Sequence, residues 1–238
     1  MVAVCPIPYE ADLEYHDAMM NTVNENGLYV CDIRGLKRIE PEIGLSVNYH
    51  RIIRGDILSC CAKGFYNIHH SYNLRLRGRN ITTHAILNTV RENIFYHGTS
   101  LYLMSSKLDA GSIVAARSIS IEASDTAYTL FNKADEAAFE LVKEWLPRLA
   151  GQKVFLYEPP AEGIHFYRAS DLPDRQIDIR MRAEEINAYV RAFDFPGKEP
   201  CYMVWNGSKV HLVYKEREPY SHKVKIKGCC FYSDKAME

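Results

Sequence analysis

Apolar residues along this chain fall into short runs separated by stretches of helical spacing. Val2-Ala3-Val4 predicts a short buried strand, stopped by Pro6 and Pro8. From about Ala11 to Asn24, the apolar side chains Leu13, Tyr15, Ala18, Met19 and Val23 recur at helical intervals, and Gly27 ends the segment. Leu28 to Cys31, Gly44 to Val47 and Phe65 to Ile68 read as strands, Asn80 to Asn88 as a helix, and His97 to Met104 and Ser112 to Ala116 as further strands. Ser124-Asp125-Thr126 supplies an N-cap for a long helix reaching about Leu149, with Ala127, Leu130, Phe131, Ala134, Ala138, Leu141 and Trp145 as its core-facing stripe. Strands alternating with helices predict an α/β domain with a mostly parallel sheet over residues 1–150.

The pattern changes after Gly151. Pro159-Pro160 and the polar stretch from Asp171 to Asp174 predict a connector, followed by a helix at Ala183 to Ala192. Strand-like runs then cover Cys201 to Trp205, Val210 to Tyr214 and Val224 to Tyr232, and Asn206-Gly207 marks a hairpin between the first two. Residues 151–238 are thus expected to form a connector and a small β-hairpin region. Its apolar and aromatic residues suit either a homodimer interface or a cover for the protein's own core.

Composition narrows the partners. With 29 basic and 30 acidic residues and a net charge of -1, the chain lacks the basic excess of a nucleic-acid-binding domain. Lys223, Lys225 and Lys227 alternate, which predicts the solvated face of a strand. Seven cysteines without a Cys-x-x-Cys spacing point away from zinc and redox motifs, and most read as small buried hydrophobes. No apolar run reaches spanning length, and the first residues lack a charged leader. The expectation is a cytoplasmic protein with no membrane partner.

The chemistry concentrates between Asn67 and Gly111. Asn67 and His69 lie two apart on a predicted strand and therefore share a face of the sheet. Asp109, in Leu108-Asp109-Ala110-Gly111, precedes an apolar run and could bring a carboxylate to them. An amide, an imidazole and a carboxylate can together polarise a carbonyl, move a proton and hold the imidazole in place. His70 faces the opposite way from His69, so shared metal ligation is disfavoured and no metal is expected. Arg77, Gly78 and Arg79 follow at once, and a guanidinium suits phosphate or carboxylate.

These residues resemble the formyltransferases that use 10-formyltetrahydrofolate. Asn67-Ile68-His69, Arg77-Gly78 and Asp109-Ala110-Gly111 stand in that family's order, with the strand from His97 to Met104 before the aspartate, and the likeness covers about Leu45 to Leu149. It implies a Rossmann-like core with catalytic Asn67, His69 and Asp109. The amide would stabilise the oxyanion of formyl transfer, the imidazole would take the proton of the attacking amine, and the carboxylate would fix the imidazole. Folate would be bound by Tyr49, His50, Ser71, Tyr72, Leu103 and Met104. Two departures stand out: Ser71-Tyr72-Asn73-Leu74 lacks the family's loop proline, and the chain matches from the second strand onward, without the first strand-helix unit.

A second likeness concerns Glu185-Ile186 and the run from Val190 to Pro196, which is similar to a segment of sugar-directed and Met-tRNA-directed members. The short tail without positive bias favours the sugar branch. The resemblance thus implies an N-formyltransferase acting on a nucleotide-linked amino sugar, such as a dTDP-amino-dideoxyhexose, for O-antigen and lipopolysaccharide synthesis. Arg77, Gly78, Arg79, Phe193 and Phe195 would contact that substrate. The rival expectations are a formyltransferase for another amine, such as Met-tRNA, and an inactive relative that only binds ligand.

Overall fold

The computed structural model describes residues 3–6, 13–49 and 51–237. In chain order it holds β1 (Ala3–Val4), α1 (Leu13–Glu25), β2 (Tyr29–Val30), α2 (Leu36–Ile39), β3 (Gly44–Val47), α3 (Gly55–Leu58) and β4 (Phe65–His69). Then come β5 (Leu76–Gly78), α4 (Ile81–Arg91), β6 (Tyr96–Leu103), β7 (Ile113–Ser120), α5 (Ala127–Gly151) and β8 (His165–Tyr167). The chain finishes with α6 (Ala183–Phe193), β9 (Cys201–Trp205), β10 (Ser208–Val213), β11 (His222–Ile226) and β12 (Cys229–Ser233). Val2 and Ala11, placed above in a strand and a helix, lie outside the described residues.

Two compact units interleave along the sequence. The first takes residues 1–69, 101–115 and 142–159. In it β3 and β4 run parallel, with Ser46 opposite Asn67 and Val47 opposite Ile68. They belong to a four-stranded sheet of order β3-β4-β6-β7. Strands β1 and β2 form a separate parallel pair. Leu36, Ile53, Ile57, Cys61 and Phe65 make the apolar cluster beneath β4, joined by half-buried Cys5, Cys31 and Tyr49. All seven cysteines are free thiols.

The second unit takes residues 70–100, 116–141 and 160–238. Its core joins Ile86 and Leu87 of α4, Leu130 of α5, Ile186 and Val190 of α6, and Leu212 and Phe231 of the C-terminal sheet. That sheet is antiparallel, with order β11-β12-β10-β9. The chain is therefore α/β with a parallel-sheet core and a separate β-rich C-terminal sheet, as the hydrophobic pattern predicts. Lys223, Lys225 and Lys227 are exposed while Val224 and Ile226 between them are buried, which is the strand alternation expected of that segment.

Two features escaped the sequence pattern. The run from Val224 to Tyr232 is two strands, because Lys227 (φ 48°) and Gly228 (φ 88°) form a two-residue turn joining Ile226 to Cys229. Lysine is not a turn residue by composition, so its left-handed backbone was not legible. Strands β5 and β8 pair in parallel, Leu76 with His165 and Gly78 with Tyr167. Three-residue segments carry no readable alternation. Gly78 belongs to this pairing: at φ 92° a Cβ would sit 2.0 Å from the Tyr167 carbonyl oxygen.

Candidate active site

Strand β4 positions two polar side chains by its period of two. Tyr66 and Ile68 are buried on one face and hold the strand in the core, while Asn67 and His69 share the other face with buried Phe65 and are themselves partly buried. Asp109 comes from the loop between β6 and β7. Its backbone is left-handed (φ 47°), a conformation aspartate tolerates better than most residues. Two residues on, a Cβ on Gly111 would meet the Leu103 carbonyl oxygen at 1.7 Å, so only glycine lets the loop return this closely to the end of β6. The loop thereby tucks Asp109 in, leaving it 8% exposed.

The side chains meet within the first unit. His69 Nε2 lies 3.8 Å from Asp109 Oδ2, with both side chains about nine-tenths buried. The hydroxyl of Tyr102 on β6 donates to Asp109 Oδ1 at 3.0 Å, and Asn67 Nδ2 donates to that hydroxyl at 3.1 Å. Amide, hydroxyl, carboxylate and imidazole thus form one connected group. Chemically it offers a donor aimed by its neighbours, an imidazole that can accept a proton and a carboxylate to stabilise the resulting charge.

In the sequence Leu101-Tyr102-Leu103 reads as an ordinary buried strand, and Tyr102 does not stand out as part of the group. The available signal was a tyrosine inside an apolar strand: a buried phenol needs a partner for its hydroxyl, and Asp109 follows seven residues later.

The other candidate residues are placed as follows. Tyr49 packs on the apolar cluster of the first unit, and burial pushes its phenol above the ordinary range, with the Arg51 charge opposing. His50 lies outside the described residues. Leu103 and Met104 are half-buried at the end of β6; the Met104 amide donates to the Phe65 carbonyl at 2.8 Å, next to β4. In the second unit, Ser71 is fully buried, and its Oγ accepts from the Leu76 amide at 2.7 Å. Tyr72 opens a single 3₁₀ turn and meets the Tyr96 ring edge-on at 6.0 Å.

Arg77 Nε donates to the Leu74 carbonyl at 3.0 Å, and Arg79 is exposed. Phe193 is 5% exposed in the core, whereas Phe195 is half-buried against the rings of Tyr128 and Phe131. His70 is buried against Phe131, with Nε2 3.3 Å from Asp135 Oδ1. Among the described residues no group of three or more His, Cys, Asp or Glu side chains is arranged to hold a metal ion. No helix of the described residues is long and apolar enough to cross a membrane.

Comparison with solved structures gives the same fold at low identity. A 4-N formyltransferase from Francisella tularensis superposes with a TM-score of 0.71 at 15% identity, covering 90% of this chain and 86% of that one. WlaRD, a sugar 3N-formyl transferase solved in the presence of dTDP and 5-N-formyl-THF, gives 0.69 at 19% identity, covering 90% and 80%. The N-formyltransferase from Helicobacter canadensis, in complex with folinic acid and dTDP-3-aminofucose, gives 0.68 at 19%, covering 89% and 80%. A family model described as formyl transferase matches residues 25–146, just over half of the chain and the span that carries Asn67, His69, Tyr102 and Asp109. On that match, the chain belongs to the formyl transferase family.

Proposed function

We propose that this formyltransferase moves a formyl group from 10-formyltetrahydrofolate to the amine of a nucleotide-linked amino sugar. The observation that carries the reading is the connected group of Asn67, Tyr102, Asp109 and His69 in a family member whose similar folds include a sugar 3N-formyl transferase solved with dTDP and a formyl folate, and an N-formyltransferase solved with folinic acid and dTDP-3-aminofucose.

In this mechanism the sugar amine attacks the formyl carbon. The remaining N–H of the Asn67 amide donates to the carbonyl oxygen as it becomes negative, a contribution of about 3 kcal/mol for a single donor of this kind. His69 removes the proton of the attacking nitrogen, and Asp109 stabilises the imidazolium. Breaking the bond to folate N10 then releases the formamide and tetrahydrofolate, with the proton passing to N10. The amine must be unprotonated and the imidazole neutral, so the rate falls in acid.

Folate binding is assigned to Tyr49, His50, Leu103 and Met104 with Ser71 and Tyr72, and sugar-nucleotide binding to Arg77, Gly78, Arg79, Phe193 and Phe195. A place in the cytoplasm, serving O-antigen synthesis, and pairing of two copies through the C-terminal sheet complete the reading.

The test is incubation with 10-formyltetrahydrofolate and a panel of dTDP-linked 3- and 4-amino sugars, followed by mass spectrometry. A product heavier by about 28 Da supports the proposal. Formylation of Met-tRNA alone, or folate binding without turnover, overturns it.

A further inference from the structure

We infer that Tyr102 is a positioning residue, whose hydroxyl decides which end of the Asn67 amide faces the reacting carbonyl. The inference rests on the formyl-transfer reading above and goes beyond it in assigning this role. A carboxamide can occupy its site in two orientations that differ by a half-turn and exchange the oxygen with the nitrogen. Only one of them presents N–H donors to a developing oxyanion; the other turns an acceptor toward it. The side chain alone holds no preference between the two.

The preference comes from a chain of single-valued choices. An ionised carboxylate only accepts, so the Tyr102 hydroxyl, 3.0 Å from Asp109 Oδ1, commits its one proton there. Its oxygen is then left with acceptor capacity toward Asn67, which must therefore offer Nδ2, and this is the contact seen at 3.1 Å. The flip state of Asn67 is in this way set by a carboxylate it does not touch directly. Asp109 serves two residues at once: Oδ1 anchors the hydroxyl and Oδ2 faces His69 Nε2.

Burial makes the choice stick. Tyr102 is 2% exposed, so little water competes for its hydroxyl, and a mispaired polar atom there would be costly. Carboxylate polarisation also makes the phenol oxygen a better acceptor, which tightens its hold on the amide. The same arrangement leaves the second Nδ2 proton of Asn67 as the one directed at substrate.

Tyr102→Phe removes the hydroxyl and keeps the ring. Tyr66→Phe is the control: it deletes another buried phenol of the first unit, one whose hydroxyl donates to the Lys63 carbonyl at 2.9 Å, away from the group. The expected result is a kcat about 10- to 100-fold lower for Tyr102→Phe, with KM for both substrates within about twofold of wild type. Tyr66→Phe should keep its kcat. In an Asn67→Ala background the Tyr102→Phe loss should nearly vanish, because the amide it orients is gone.

A loss that is undiminished without Asn67, or one shared by Tyr66→Phe, overturns the inference. A readout independent of turnover separates it from the formyl-transfer reading. With ¹⁵N-asparagine labelling, one Asn67 Nδ2 proton should exchange slowly with solvent in wild type and rapidly in Tyr102→Phe. Unchanged exchange overturns the positioning role even in active enzyme. Wild-type enzyme that turns over no amino sugar but shows this protected proton overturns the reaction and keeps the positioning role.

Discussion

Two kinds of buried carboxylate occur in this molecule, one in each unit. Asp194, at the end of α6, is 1% exposed and receives the Tyr214 and Lys215 amides at 2.8 and 3.1 Å and the Arg217 guanidinium at 2.5 Å. Asp125, before α5, is 3% exposed and receives the Glu122 amide at 2.8 Å, the Thr129 hydroxyl at 3.1 Å and Lys133 at 2.8 Å. Both are held by backbone donors and by a cationic side chain. Asp109 instead meets a phenol and an imidazole, groups that can change protonation or give up a bond. A carboxylate closed by permanent donors fixes a fold, and one facing exchangeable partners can do chemistry.

The comparison breaks most readily at its catalytic end. Asp109→Asn is expected to lower kcat for formyl transfer by about 10³-fold while the melting temperature stays near wild type. A variant that unfolds, or one that keeps full turnover, would erase the distinction between the two carboxylate types. The structural end comes next. Asp194→Ala leaves Arg217 without its partner and two amides without an acceptor, so urea unfolding should show a loss of about 3 kcal/mol. Turnover per folded molecule should persist.

A buried imidazole sharpens the same point. His84 is 1% exposed, stacked 3.7 Å from the Tyr167 ring, and neither ring nitrogen has a hydrogen-bond partner among the described residues. Burial, helped by the Arg91 charge, lowers its pKa to about 4 from the ordinary 6.5. The unfolded chain therefore binds the extra proton first as pH falls. Native stability from this group is present above about pH 6.5 and is lost progressively down to about pH 4, at most about 3 kcal/mol. Denaturant titrations at pH 7.5 and 5.0 should show that slope, and His84→Phe should flatten it. The smallest effect belongs to a surface carboxylate: Glu42 bonds Lys63 at 2.7 Å in open solvent, and Glu42→Ala should leave both melting temperature and kcat unchanged in thermal and kinetic assays.

Much of this was legible in the chain because it follows from periodicity. The placement of Asn67 and His69 on one face needs only a strand at Phe65 to Ile68, and the stripe of Ala127, Leu130, Ala134, Ala138 and Leu141 needs only a helix; all five are buried. Tyr102 was illegible as part of the group because its role depends on which strand lies beside β4, a tertiary choice that local pattern does not encode. The left-handed Lys227 and the close approach at Gly111 belong to the same class: each is set by a partner far away in sequence or by backbone geometry. Phe193 illustrates the reverse ambiguity, since an aromatic in a family-like motif and an aromatic in a core look identical in one dimension.

The in-register pairing of β3 with β4 also limits how this protein can diverge. Because side chains alternate along β4, a single inserted or deleted residue between Phe65 and Asn67 would rotate the amide and imidazole to the opposite side of the sheet and put Ile68 in their stead. Substitutions can accumulate around this strand, but length changes within it abolish the site in one step. Indels that survive selection should therefore gather in the connecting loops, leaving β4 constant in length.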